Sequence, residues 1–250
     1  MSQPIISLQH VRKGFRSKVV LDDFSLDVRE GETMTILGGS GSGKSVTLKL
    51  ILRLLHPEAG QVLFRGRDIN VMDEHVLNDT RKQIGMLFQG GALFDSLTVR
   101  ENIAYPLREH FEHSEETLSD IVEECLAMVG LPGIERSMPA DLSGGMRKRV
   151  ALARAIATKP AVILYDEPTT GLDPANTRRI NRLIRELQQK LKVTSIVVTH
   201  DMESAFEVTD RIALLYNRRV AFVGTAQESR TSHIPLVKNF IQGHFEENDD

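Results

Sequence analysis

The chain reads Gly38-Gly39-Ser40-Gly41-Ser42-Gly43-Lys44-Ser45 between an apolar run, Thr33 to Leu37, and a helical pattern over residues 44–55. This spacing matches the phosphate-binding pattern GxxxxGK[ST] in its expected strand–loop–helix context. The glycines let successive backbone N–H groups turn towards phosphate oxygens, and the helix N-terminus adds partial positive charge. In such loops the lysine, here Lys44, bridges the β- and γ-phosphates, and the hydroxyl of Ser45 ligates Mg²⁺. The stretch therefore predicts a nucleoside-triphosphate site.

A second motif places two acids directly after a strand. Val162 to Tyr165 is an apolar run, and Asp166 and Glu167 follow it. Carboxylates at the carboxyl end of a parallel strand lie where α/β sheets bind their ligands. Two acids after a strand usually form a solvated turn. Beside a phosphate-binding loop, however, Asp166 is expected to hold Mg²⁺ through water and Glu167 to polarise the attacking water.

Strand-like and helical patterns alternate along much of the chain. Further β-prone runs are Ser195 to Thr199, Ile212 to Tyr216 and Val220 to Val223. A helix is predicted over residues 115–129, with Ser114 as its N-cap and Gly130 as its C-terminal stop. Another helix is predicted over residues 174–191, with Asp173 as its N-cap. This alternation predicts an α/β fold with a mainly parallel sheet. Residues 5–30 favour shorter antiparallel strands, and residues 90–158 favour helices.

Composition excludes some classes of protein. The 250 residues carry a net charge of -3, with 41% hydrophobic and 26% charged residues, which is ordinary for a globular chain and unlike a strongly basic nucleic-acid binder. The single cysteine, Cys125, is expected to be a small buried hydrophobe. No apolar stretch reaches the roughly 18 residues of a membrane span.

A third motif narrows the family. Leu142-Ser143-Gly144-Gly145-Met146-Arg147-Lys148-Arg149 precedes a helical pattern, and on its own it could be an ordinary serine N-cap. The phosphate loop comes first in the chain, this motif second, and the strand with two acids third. In this order the chain resembles the ATPase subunits of ABC transporters, whose signature motif usually reads LSGGQ. The resemblance implies a P-loop NTPase fold: a RecA-like core with an antiparallel β element and a helical ABC subdomain. Met146 replaces the usual glutamine, and Gly39 replaces a frequent proline.

The resemblance also implies roles for residues outside these motifs. Gln89 corresponds to the Q-loop glutamine that senses Mg²⁺, Asp173 to the D-loop acid, and His200 to the switch histidine at the γ-phosphate. Phe15 corresponds to the aromatic residue that stacks on adenine, although a core phenylalanine is the simpler alternative. The implied ATP contacts are Phe15, residues 38–45, Val46, Ser143, Gly144, Gly145 and Asp173; the implied Mg²⁺ ligands are Ser45, Gln89 and Asp166; and the implied catalytic set is Glu167, His200, Gln89 and Lys44.

The domain organisation follows from the same resemblance. An ABC ATPase domain is expected over residues 5–241, with a RecA-like core at 1–89 and 159–226, a helical subdomain at 90–158 and a C-terminal extension at 227–250. Because each chain has one phosphate loop and one signature, an ATP-dependent homodimer is expected to complete two sites.

The segment 89–110, the LSGGM variant and the C-terminal segment 235–243 resemble one branch, the ATPases of Mla-type phospholipid transporters. That branch implies a permease with several membrane spans, an MCE-type protein, a small STAS-type protein and a location at the cytoplasmic face of the inner membrane. Leu93, Phe94, Tyr105 and Leu107 lie where such subunits receive a permease helix, although each could simply pack its own subdomain.

Three alternatives remain open. An importer ATPase for another solute, such as an amino acid or a metal, shares every core motif. A soluble ABC ATPase for DNA repair or translation usually has long coiled coils or two cassettes, and neither is present in the sequence. A nucleotide-binding regulator without hydrolysis is disfavoured by Glu167 and His200.

Overall fold

The computed structural model describes residues 3–16 and 18–242, so the acidic tail at 246–250 and Gly243 lie outside the described residues. Strands occupy ten segments of this described part: β1 Ile6–Phe15, β2 Lys18–Val28, β3 Thr33–Leu37, β4 Ala59–Phe64, β5 Arg67–Asp68, β6 Ile84–Leu87, β7 Val162–Asp166, β8 Thr194–Thr199, β9 Arg211–Tyr216 and β10 Arg219–Thr225. The α-helices of the same residues are α1 Lys44–Ile51, α2 Glu74–Arg81, α3 Val99–His110, α4 Glu115–Met128, α5 Gly144–Ile156, α6 Pro174–Leu191, α7 Met202–Val208, α8 Ala226–Arg230 and α9 Pro235–Ile241.

The chain forms two compact units. Among the described residues, those within 1–77 and 196–250 form the first unit, and those within 78–195 form the second unit. No helix among the described residues is both long and apolar enough to cross a membrane.

The first unit contains an antiparallel sheet and a parallel set of strands. The antiparallel sheet has the order β2-β1-β4-β5, and β3 pairs with β9 in parallel register from Met34–Arg211 to Leu37–Leu214. Strand β10 completes the edge as an antiparallel partner of β9. A buried apolar cluster packs beside these strands: Leu37, Ala205, Ile212, Leu214, Val237 and Phe240. This packing fixes β3, and therefore the loop that follows it.

The second unit is built around a parallel strand pair and several helices. β6 and β7 pair in parallel, with Ile84 opposite Val162 and Leu87 opposite Tyr165, and all five residues of β7 are buried. Side-chain caps set the starts of the helices: Thr98 and Glu101 form a capping box on α3, Ser114 caps α4, and Asp173 caps α6.

The α/β fold with a mainly parallel sheet and an antiparallel β element is confirmed. The predicted strands at 33–37, 162–165, 195–199, 212–216 and 220–223 each fall within an observed strand, and the helices predicted at 115–129 and 174–191 are α4 and α6. Residues 90–158 contain α3, α4 and α5 and no strand, whereas the two compact units divide at residues 77 and 195. The predicted boundaries of the core and subdomain stay a prediction.

The prediction of a helix over 44–55 is wrong at its end, because α1 stops at Ile51. Arg53 takes a left-handed conformation with a φ of 50°, which ends the helix. Its guanidinium donates to the carbonyl oxygen of Met72 at 2.7 Å and pairs with Glu74 at 3.0 Å. These contacts come from a segment about 20 residues further on, so the helical pattern alone does not reveal them.

Candidate functional site

The phosphate-binding loop lies in the first unit between β3 and α1. Gly41 and Gly43 have φ angles of 73° and 107°, which only glycine adopts readily. A Cβ at Gly43 would lie 2.8 Å from Val20 Cγ1, so a larger residue would also clash there. The left-handed glycines and the start of α1 therefore give the loop the backbone geometry that cradles anions.

Lys44 is the first residue of α1 and only 7% exposed. Its Nζ donates to the carbonyl oxygens of Gly38 at 2.8 Å and Gly39 at 2.6 Å, so the ammonium lies across the mouth of its own loop. The hydroxyl of Ser42 is buried in the same loop. Ser45 and Val46 follow Lys44 in the first turn and are half-buried. Lys44 can contribute positive charge where a phosphate would lie, and Ser45 can contribute the oxygen ligand that Mg²⁺ prefers.

Phe15 is the last residue of β1, in the first unit. It is 43% exposed and therefore does not belong to the buried core. The Nζ of Lys13 lies 5.2 Å from the ring centroid, in cation–π range. The partly exposed ring of Phe15 therefore offers a surface on which a planar ligand could stack.

His200, also in the first unit, follows β8 and precedes α7. Its side chain is exposed. The next residue, Asp201, receives hydrogen bonds from the backbone N–H groups of Glu203 and Ser204 and so caps α7. The strand end and this cap together hold the backbone on either side of the histidine.

The two acids at the end of β7 lie in the second unit. Asp166 and Glu167 are both buried. Glu167 has a φ of 47°, a left-handed conformation that costs a non-glycine residue about 1–2 kcal/mol. Its carbonyl oxygen accepts from the Thr170 N–H at 3.3 Å, and its Oε2 accepts from the Thr170 hydroxyl at 3.1 Å. The carboxylate of Glu167 is therefore oriented by its own turn.

The segment after β6, residues 89–92, is held by cations of α5. Gln89 has an exposed side chain, and its carbonyl oxygen accepts from Lys148 Nζ. The guanidinium of Arg154 donates to the carbonyl oxygens of Gly91 at 2.9 Å and Ala92 at 2.7 Å. The backbone of this segment is thus tethered while the Gln89 amide is free to face solvent or ligand.

Within the second unit, the turn formed by Ser143, Gly144 and Gly145 (the signature turn) contacts the start of α6, which follows Asp173. Ser143 caps α5, since its hydroxyl accepts from the Met146 N–H at 3.2 Å. A Cβ at Gly145 would lie 2.6 Å from Asn176 Oδ1, so glycine allows this close approach. Asn176 in turn donates to Asp173 at 2.6 Å, and Asp173 caps α6. Ser143, Gly144 and Gly145 therefore present a helix N-terminus beside Asp173.

Hydrogen bonding lowers the pKa of the Asp173 carboxyl: the Asn176 N–H is the main cause, and the Asn176 amide adds to it. Burial lowers the pKa of Lys148, and the negative charges of Asp166 and Glu167 partly oppose that effect. Burial likewise lowers the pKa of Arg154. The second unit thus combines buried cations with two carboxylates at one end of β7.

Three residues that organise the site were missed by the sequence analysis: Lys148, Asn176 and Thr170. Each acts through contacts with segments that carry recognised motifs. Lys148 binds carbonyl oxygens 59 and 19 positions away, and Asn176 approaches Gly145 across two helices, so neither contact is visible in the sequence. The bonds of Thr170 to Glu167 and of Asn176 to Asp173 each span three residues and could have been found from a turn or N-cap pattern.

The family model described as ABC transporter matches residues 21–170, and the chain belongs to this family. It is an ATPase subunit of the ABC type with a P-loop NTPase fold.

The chain is 40% identical to the intermembrane phospholipid transport system ATP-binding protein MlaF of Haemophilus influenzae, over 97% of this chain and 92% of that protein. It is 41% identical to the probable ribonucleotide transport ATP-binding protein mkl of Mycobacterium leprae, over 95% of this chain and 69% of that protein. The dimeric ATP-binding cassette MJ0796, solved bound to ADP and Pi, superposes with a TM-score of 0.81 at 34% identity, over 88% of this chain and 98% of that one.

Proposed function

We propose that this chain is the ATPase subunit of a transporter that moves phospholipid between the inner and outer membranes, working with an MCE-type protein. The observation that carries the proposal is the match to the phospholipid-transport protein MlaF, which extends over 92% of that relative. The aligned region covers 97% of this chain and therefore includes the segment 89–110 and helix α9.

The site residues divide the work between binding and turnover. Lys44 and the backbone amides of residues 38–43 would hold the ATP phosphates, Phe15 would stack on adenine, and Val46 would line the loop. Mg²⁺, when bound with ATP, would neutralise phosphate charge, and the oxygens of Ser45, Gln89 and Asp166 are suitable donors for it.

Glu167 is the group proposed to act on water. Its carboxylate would accept a proton from the water whose oxygen attacks the γ-phosphorus, as the bond to the β–γ bridging oxygen breaks and ADP leaves. His200 would contact the γ-phosphate. The Thr170 hydroxyl donates to Glu167 Oε2 at 3.1 Å, which helps to fix the orientation of this carboxylate.

The active form is proposed to be a homodimer. One chain has one phosphate loop and one signature turn, and Ser143, Gly144 and Gly145 form a second anion-binding helix start. In a two-fold dimer the signature turn of each copy would cover the ATP held by the other. The dimeric form of the MJ0796 cassette supports this arrangement.

The partners are proposed to be a permease with several membrane spans, the MCE-type protein and a small STAS-type protein, at the cytoplasmic face of the inner membrane. Phe94 and Tyr105 support the permease contact, because both rings are exposed and pack with centroids 4.8 Å apart. Leu107, by contrast, is buried and belongs to the core. An exposed aromatic pair is the kind of surface that a partner helix covers.

A second candidate function is an importer ATPase for another solute. It is favoured by the match to the probable ribonucleotide transport ATP-binding protein mkl of Mycobacterium leprae. The two identities differ by one percentage point, so identity does not discriminate, whereas coverage of 92% against 69% favours the phospholipid reading.

Co-purification tests the proposal. The tagged Glu167→Gln chain would be purified from detergent-solubilised membranes, and bound proteins and lipids identified by mass spectrometry. An MCE protein, its permease and enriched phospholipid are expected. A solute permease without enriched lipid would replace the phospholipid proposal with the importer.

A further inference from the structure

Lys148, in the second turn of α5, connects two segments of the proposed site. It is only 6% exposed. Its Nζ donates to the carbonyl oxygen of Gln89 and to the carbonyl oxygen of Glu167, the latter at 3.2 Å. Those are the two residues to which Mg²⁺ sensing and water activation are assigned. We propose that Lys148 is a positioning residue for ATP hydrolysis, holding the backbones of Gln89 and Glu167 in one fixed arrangement; this inference rests on the proposed function.

Burial of a lysine needs a reason, because an ammonium loses hydration when it leaves water. Lys148 is compensated by main-chain carbonyls and by the nearby charges of Asp166 and Glu167. A cation with a purely structural role could be compensated equally well by the carbonyl oxygens of any two residues. Here both carbonyls belong to residues with assigned roles, which are 59 and 19 positions away in the chain.

Glu167 is the residue that most needs such support. It holds a left-handed backbone with a φ of 47° directly before Pro168, and the residue before a proline is itself restricted. The Thr170 hydroxyl donates to the Glu167 carboxylate, and the Thr170 N–H donates to the Glu167 carbonyl oxygen. Lys148 Nζ donates to the same carbonyl oxygen. Removing Lys148 would let the peptide after Glu167 rotate and would move the carboxylate.

The neighbouring cation shows what a structural role looks like. Arg149 is also buried, and its guanidinium donates to the carbonyl oxygens of Val129 at 3.2 Å and Gly130 at 3.0 Å. These carbonyls end α4 and carry no assigned role. Adjacent cations of one helix therefore bind two carbonyls each, and only the Lys148 pair belongs to the proposed site.

The test compares Lys148→Met with Arg149→Met in the full chain. For Lys148→Met we expect kcat to fall roughly 10-fold or more while the Kd for ATP stays within about twofold, because misplaced catalytic groups lower turnover without removing phosphate contacts. Without nucleotide, amide hydrogen exchange should rise in peptides covering residues 88–93 and 167–172. Arg149→Met should lower Tm and raise exchange around residues 126–131, with kcat per folded molecule close to wild type.

Two further variants make the result decisive. Lys148→Gln keeps a neutral donor and should recover part of kcat; it also serves if Lys148→Met does not fold. In a Glu167→Gln background, Lys148→Met should cause little additional loss, because the two residues act through one group.

An unchanged kcat in folded Lys148→Met, an equal kcat loss in Arg149→Met, or unaltered exchange at residues 167–172 would overturn the inference alone. A wild-type chain that releases no phosphate from ATP would overturn the proposed function, and this inference with it.

Discussion

Two buried lysines, Lys44 in the first unit and Lys148 in the second, solve different problems with the same chemistry. Each is less than 8% exposed and donates to two main-chain carbonyls. Lys44 binds the carbonyls of Gly38 and Gly39, within its own loop, whereas Lys148 binds the carbonyls of two separate segments. The phosphate loop of the first unit is thus organised locally by its own backbone, whereas a side-chain cation joins the segments that follow β6 and β7 in the second unit.

This difference leads us to expect that damage to the phosphate loop weakens ATP binding, whereas damage around Glu167 slows turnover. The phosphate loop presents backbone amides that remain when a remote contact is lost. The carboxylate of Glu167, by contrast, depends on Thr170 and Lys148 for its position.

The largest effect is expected at Glu167. Glu167→Gln should lower kcat by about 10²–10⁴, the usual contribution of a general base, because an amide cannot accept the proton of water. Phosphate release from the purified variant measures it. Glu123→Gln, on an exposed face of α4, is the matched control and should keep wild-type turnover. Turnover near wild type in Glu167→Gln would remove Glu167 from its assigned role.

A smaller but clear effect is expected at Lys44. Lys44→Ala should weaken ATP binding by roughly 10- to 100-fold, since a hydrogen bond to a charged group contributes about 1.5–3 kcal/mol. Calorimetric titration gives the affinity. Lys49→Ala removes an exposed lysine of the same helix and should leave it unchanged. Equal affinity of Lys44→Ala and wild type would mean that the loop backbone alone holds the phosphates.

These two variants target residues that the sequence identified without the structure. The phosphate loop, the acids after β7 and the signature each consist of consecutive residues, so their chemistry is visible as a spacing. Strands β3, β7 and β9 were also predictable, because buried parallel strands are continuous apolar runs. The contacts of Lys148, the closeness of Asn176 to Gly145 and the early end of α1 at Arg53 depend on segments that only the fold brings together.

The hydrogen bonds that hold the segment after Gln89 can also be tested at a residue with no proposed role in catalysis. Asn102 is fully buried; its Nδ2 lies within 3.1 Å of the carbonyl oxygens of Phe94, Leu97 and Thr98, and its Oδ1 accepts from the Phe94 N–H at 2.8 Å. Asn102→Ala leaves buried partners unpaired and should cost about 1–3 kcal/mol of unfolding free energy.

Urea denaturation would measure that cost, with Asn78→Ala on the exposed face of α2 as the control. A change below about 0.5 kcal/mol, the range of surface substitutions, would show that the segment after Gln89 does not need this side chain.

The smallest effect is expected at Phe15. Phe15→Ala should reduce ATP affinity by roughly 2- to 10-fold, since aromatic stacking is worth about 0.5–1.5 kcal/mol, and Phe15→Tyr should restore it. The affinities for ATP and for inorganic triphosphate can be compared by calorimetry. A loss that is equal for both ligands would place the effect in the phosphate loop and not at the base.

The division between ATP binding at the phosphate loop and turnover at Glu167 is tested most directly by titrating ATP into the Glu167→Gln chain in a calorimeter. We expect a Kd within about twofold of wild type, because every proposed phosphate contact of the first unit is intact. A loss of ATP affinity as large as that of Lys44→Ala would contradict it and would make Glu167 part of the binding site.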